Sequence, residues 1–146
     1  EGFALLSELN AKGFMAILLT GLGVLAQARQ DYPRALAMYT RSIRLACEVD
    51  DRRVLAMSLE KTAEVLAKIG QPNRAAQILG AADALRSQLN TPVEQIDFLD
   101  YEKILTFMRE TLGENQFRAD WEIGRKMTLD EAIALTPDAT KLDVKD

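Results

Sequence analysis

Apolar residues return along this chain at helical spacing; Phe98, Leu105, Met108 and Leu112 give one clear example. No stretch sustains the period-two alternation of a strand, and runs of β-branched residues are few. Pro33, Pro72 and Pro92 fall at segment joints, and Pro137 follows the last apolar segment. The pattern predicts helices over residues 1–9, 14–29, 33–49, 52–69, 72–89, 92–112 and 114–126. A short helix after Thr128 ends before Pro137, and residues 137–146 form a polar tail. Lys12-Gly13 is expected to break the chain between the first two helices.

The joints carry their own signals. Asp51 is placed to cap the helix that follows it. Gly70 suits the left-handed residue that ends a helix, and Gly113 marks another stop. Thr91, Pro92 and Glu94 form one start signal, and Thr128 with Glu131 forms a capping box.

The register that lays Ala35 on Ala75 also lays Leu19 on Leu59, Gly23 on Ala63, Tyr39 on Leu79 and Ser42 on Ala82. Ala26 falls on Leu66 in the same register. Residue size is largely kept, as expected of repeated pairs of helices with a period of about 40 residues. Sterics explain the pattern. Gly23 or Ala63 on the first helix of a pair would face Ala35 or Ala75 on the second, letting the axes approach to the short end of ~8–10 Å. Leu19, Leu22, Tyr39 and Ile43 would fill the space around that contact. Gly21 and Gly23 each cost about 1 kcal/mol inside a helix, so some neighbour is expected to exploit both.

At Gly23, Ala35, Tyr39 and Ser42, and again at Ala63, Gly70, Ala75 and Ala82, the chain resembles the tetratricopeptide-repeat family. It departs in its longer period and in Gln30, which stands where that family has a turn glycine. The resemblance implies an all-α fold. Antiparallel helix hairpins would stack into a short right-handed solenoid closed by a C-terminal helical cap. The C-terminal half is similar to the extreme end of large bacterial regulators, LuxR-type transcriptional activators among them, that carry a STAND-type ATPase before helical repeats. Leu79 to Ala82, Tyr101-Glu102, Leu112-Gly113, Trp121 to Arg125 and Leu129 to Ala132 carry that likeness.

One domain over 1–136 is therefore expected. Residues 1–13 end a preceding repeat, 14–53 and 54–90 form two repeats, and 91–136 supply the C-terminal helices. Glu1 in place of an initiator Met suggests a piece of a longer protein.

Composition narrows the partners. Of 146 residues, 48% are hydrophobic, enough for a folded core. The net charge of −4 argues against direct nucleic-acid contact and against a polybasic membrane anchor. The apolar stretch from Phe14 to Ala28 falls short of the roughly 20 residues of a membrane span. With Cys47 as the one cysteine, no internal disulfide forms, and a cytoplasmic setting is expected.

Chemistry is sparse. The chain has no histidine, hence no member of the commonest class of general base and metal ligand, and no catalytic, metal or cofactor residue is assigned. Gly21-Leu22-Gly23 lacks the further glycine, lysine and strand of a phosphate loop. Glu60 and Glu64 lie four apart on one helix. They would do acid–base work only if buried together, and a solvated Glu64–Lys68 pair is the expected alternative. The solenoid resemblance instead implies a concave groove lined by Thr20, Val24, Gln27, Glu60, Lys61, Glu64 and Lys68. Trp121, Phe117 and Tyr101 are expected to close the end of the core, and Cys47 to be a small buried residue. Arg41, Arg44, Arg52 and Arg53 should form a solvated turn. The expected function is non-catalytic binding of a protein, peptide or small effector within a bacterial regulator, with homo-oligomerisation through exposed repeat ends. A purely structural or self-associating spacer is the alternative.

Overall fold

The computed structural model describes residues 2–90 and 95–137, with burial and side-chain contacts from residue 100 onward in the second span. The described residues are all-helical, with seven helices: α1 (Gly2–Ala28), α2 (Tyr32–Glu48), α3 (Arg52–Lys68), α4 (Pro72–Leu89), α5 (Gln95–Leu112), α6 (Glu114–Lys126) and α7 (Leu129–Ala134). The predicted start signal at Thr91, Pro92 and Glu94, the apolar position Phe98 and the polar tail after Pro137 lie outside the described residues and side chains.

Three evenly spaced joints repeat one geometry. Gln30, Asp50 and Gly70 have φ of 60°, 54° and 91°. The next residue's N–H then reaches back over the turn. Asp31 donates to the Ala26 carbonyl at 2.9 Å, Asp51 to Ala46 at 2.9 Å and Gln71 to Leu66 at 2.8 Å. These bonds satisfy carbonyls that a helix end leaves open. Asp31 and Asp51 also cap the next helix, accepting from the N–H groups of Arg34 and Val54. Gln30 thus takes the left-handed conformation that glycine serves elsewhere. Thr128 and Glu131 form the expected capping box of α7.

Each helix packs on its chain neighbour through α4, and α4 also packs against α6. Tyr39, Ile43, Leu55, Leu59, Leu66, Ile78, Leu79 and Met108 are fully buried. Phe117 is buried, Tyr101 and Trp121 pack on the core, and the Phe117 and Trp121 rings lie 5.7 Å apart. Backbone meets backbone where α4 crosses α6. A Cβ on Gly124 would sit 2.7 Å from the carbonyl carbon of Gln77, and one on Gly80 would sit 3.0 Å from that of Trp121. Only glycine lets these backbones meet.

Several expectations need correction. The chain does not break at Lys12-Gly13: α1 runs through, because one interior glycine costs only about 1 kcal/mol and Lys12 is tied to Glu8 one turn back at 3.2 Å. Joining Gly2–Gly13 to the apolar stretch makes α1 long and apolar enough, by length and composition, to cross a bilayer. The expectation that the apolar stretch is too short counted from Phe14 only. Gly23 is buried, but what it admits is the Tyr39 ring. Gly21 faces open space, and Leu22 is exposed. Cys47 is exposed as well, since it lies on the side of α2 that α1 and α3 leave uncovered. Arg41, Arg44, Arg52 and Arg53 are solvated as expected, with Arg52 on Asp50 at 3.2 Å.

Candidate functional site

A groove of about 480 Å³ runs between α1, α3 and α5. Val24, Gln27, Lys61, Glu64 and Lys68, five of the seven expected groove residues, line it. Val24 of α1 and Glu64 of α3 are matched by the 40-residue sequence register, and positions 61, 64 and 68 lie three to four residues apart on one face of α3. Ala28 of α1 joins them, and helix α5 supplies Asp100, Lys103, Ile104 and Phe107. The sequence reading missed these α5 residues. The 40-residue sequence register relates α1 to α3, whereas α5 has no counterpart in it and arrives only through tertiary packing.

One wall is fixed by a hydrogen-bonded chain. The Tyr39 hydroxyl donates to Gln27 Oε1 at 2.7 Å. Gln27 Nε2 donates to Glu64 Oε2 at 3.1 Å, and Lys61 Nζ lies 3.6 Å from Glu64 Oε1. Tyr39 is buried, which together with the negative charge of Glu64 pushes its hydroxyl well above the ordinary range. It therefore stays a neutral donor and holds Gln27 in one orientation. Glu64 pairs with Lys61, not with the expected Lys68. Lys68 and Lys103 project into the groove as cations beside the apolar Val24, Ile104 and Phe107.

Two expected groove residues are elsewhere. Thr20 is buried and joins Ser42 at 2.8 Å and Ser58 at 3.0 Å, while Ser42 donates to the Ala16 carbonyl at 2.7 Å. This hydroxyl cluster ties α1, α2 and α3 together inside the core. Glu60 is buried too, and Arg86 of α4 grips it with Nε at 2.6 Å and Nη2 at 2.7 Å. Burial raises the Glu60 carboxyl above its ordinary range, while Arg86 opposes that shift. Glu60 and Glu64 thus do not share a cavity: one belongs to the α3–α4 contact and the other to the groove.

A further buried carboxylate went unpredicted. Asp120 of α6 accepts from Asn73 Nδ2 at 2.9 Å, Gln77 Nε2 at 3.0 Å and Gln116 Nε2 at 3.1 Å. Arg125 pairs with Asp83 beside it. The segments Leu79–Ala82 and Trp121–Arg125, distant in sequence, meet here. Among the described residues no group of histidine, cysteine, aspartate and glutamate is placed to hold a metal.

Over 77 residues, 53% of its length, the chain is 32% identical to a protein of Mycobacterium bovis named "Putative HTH-type transcriptional regulator". Proteins of the same description in two strains of Mycobacterium tuberculosis match equally. The chain spans about 9% of the length of these relatives. That similarity links it to transcriptional regulators. No family model matches the chain, and no solved structure matches it significantly. The expectation that excluded nucleic acid as a partner does not stand. A helix-turn-helix regulator is a DNA-binding protein, and a net charge of −4 on a region matching so small a part of its relatives does not describe the surface of a whole regulator.

Proposed function

We propose that this chain is a non-catalytic helical-repeat module of a bacterial, cytoplasmic transcriptional regulator. Its groove between α1, α3 and α5 takes a protein segment, peptide or small effector. Binding there shifts the regulator between resting and active states, because an occupant that prefers one arrangement of the helices biases the equilibrium toward it. The reading includes a tetratricopeptide-like stacking of α1–α2 on α3–α4, and an upstream STAND-type ATPase in the regulator.

The observation that carries the reading is the groove wall, in which Tyr39, Gln27, Glu64 and Lys61 hold one another in place. A wall held by internal bonds need not be ordered when a ligand arrives, which lowers the cost of binding. Apolar contacts and unlike charges lie side by side in the same groove, the mixture by which small sites select a ligand.

The test is charge reversal in the intact regulator. Lys68→Glu with Lys103→Glu, two exposed groove cations outside the bonded wall, should reduce activation of the target promoter about tenfold, the equivalent of ~1.4 kcal/mol of coupling, with thermal unfolding little changed. Unchanged activation in a folded variant sinks the sensing role. It would favour the second reading, a structural spacer, which the exposed apolar side of α1 supports on separate grounds.

A further inference from the structure

Helix α1 has a face with no partner among the described residues. Phe14, Leu18, Leu22 and Leu25 follow one another at helical spacing, and all are exposed, Phe14 at 75%. In the repeat register, the equivalent positions in α3 are Val54, Ser58, Thr62 and Val65, and all four are buried. Helix α2 covers part of that α3 face: Ser42 and Ser58 meet at 3.1 Å across the Val49–Asp51 turn.

The same register over the start of the chain lays Leu5 on Leu45, Glu8 on Glu48, Leu9 on Val49, Asn10 on Asp50 and Lys12 on Arg52. Those counterparts are the end of α2, its turn and the start of α3. Asp50 sits at φ 54°, and asparagine is among the residues that adopt this left-handed conformation most readily. Residues 2–9 therefore carry the sequence of an α2 ending, with the turn residue after them. In the straight α1 this segment leaves its apolar side chains in water, Phe3 at 84%. Residue sizes fit a closed arrangement: where Ser42 meets Ser58, the register sets Gly2, with no side chain, against the large Leu18.

We propose that α1 has a second conformation, bent at Asn10, in which Gly2–Leu9 lies antiparallel on the Phe14–Leu18 face as α2 lies on α3. Bending gives up the few backbone hydrogen bonds that span the turn and removes apolar surface from water on both sides of it. A cavity of about 790 Å³, lined by Leu6, Leu9, Asn10, Phe14 and the Val49–Arg53 turn, lies beside the bend. The occupant of the Phe14–Leu18 part of the open face is then the segment Gly2–Leu9. How far the face is available to any other helix depends on Asn10.

Spin labels decide it in the 146-residue chain. With Cys47→Ser in place, nitroxides are attached at Phe3→Cys and Leu18→Cys. A straight helix separates the two sites by about 23 Å at ~1.5 Å per residue. The bent form brings them to about the 10 Å spacing of packed helices. A short-distance population is expected that grows in Asn10→Gly and shrinks in Asn10→Ala. A second pair, Ala4→Cys with Ile17→Cys, leaves Phe3 and Leu18 intact and should agree. A single distance matching the straight helix in every variant overturns the proposal, as does a short population indifferent to residue 10. A short distance that disappears on dilution with unlabelled chain reports contact with a second copy, and also overturns it.

Discussion

Helices α1 and α4 are alike in sequence character and opposite in surroundings. Neither has a strong polar face. In α4, alanines and larger apolar residues go most of the way round, with Ala75, Ala76, Ile78, Leu79 and Ala82 all buried. Helix α3 covers one side and α6 another. Helix α1 is apolar all round as well, yet α2 is its main partner and much of the opposite side meets water. A helix without a polar face belongs between neighbours. Helix α4 has both neighbours, and α1 lacks one. The glycines mark the same contrast, since Gly80 and Gly124 are filled by opposing backbone while Gly21 faces empty space.

The largest effect that would break this comparison lies on the closed side, at the Glu60–Arg86 pair. Arg86→Met leaves a buried carboxylate without its guanidinium and should cost about 3–5 kcal/mol in urea unfolding at pH 7. Burial already holds Glu60 above its ordinary range, and losing Arg86 raises it further. A carboxyl whose folded pKa exceeds its unfolded one destabilises the fold while charged and ceases to do so once protonated. The deficit of Arg86→Met should therefore shrink as pH falls through the raised Glu60 pKa. A deficit under about 1 kcal/mol at pH 7, independent of pH, would mean that α3 and α4 are not held as described.

The glycines give a matched pair of substitutions with opposite signs. Gly124→Ala drives a Cβ into the Gln77 carbonyl, and since both partners are backbone, one helix must shift, at about 3 kcal/mol. Gly21→Ala meets nothing and should stabilise α1 by up to about 1 kcal/mol through helix propensity alone. Denaturation midpoints of the two variants check both signs. A destabilising Gly21→Ala would show that this side of α1 is occupied in solution, and the contrast with α4 would fail there.

Helix boundaries were largely legible because the signals are local. Asp51, Gly70, Thr128 and Glu131 act on backbone groups within a few residues, so chain order suffices to find them. The small-residue argument foresaw buried small positions at Gly23, Ala35, Ala63 and Ala75 but not the backbone contacts at Gly80 and Gly124, which arise through an α4–α6 pairing that no local spacing encodes. The lining of the groove was legible at Val24, Gln27, Lys61, Glu64 and Lys68, on the two helices that the sequence register relates. It was not legible at Thr20 and Glu60, whose burial depends on Ser42 and Ser58 and on Arg86 from other helices. Polarity alone does not tell a solvated side chain from one bonded inside the core.

The smallest lever on the closed side is the cap of α7, which packs against α4. The Thr128 N–H donates to Glu131 Oε1 at 3.1 Å, and Glu131 N–H donates to the Thr128 hydroxyl at 3.2 Å. The first of these bonds holds the Glu131 carboxyl below its ordinary range. A carboxyl with a depressed folded pKa contributes stability that is present above its unfolded value near 4.5 and lost as pH falls through the folded one. Glutamine keeps the box, since its side-chain oxygen accepts the same bond, but has no proton to gain. Glu131→Gln should therefore flatten the stability profile below about pH 4.5 and leave it little changed at pH 7, where helical content and urea midpoints can be compared. A variant whose acid limb matches the parent's would place Glu131 outside the cap. The α7 contact with α4 would then need another source of order.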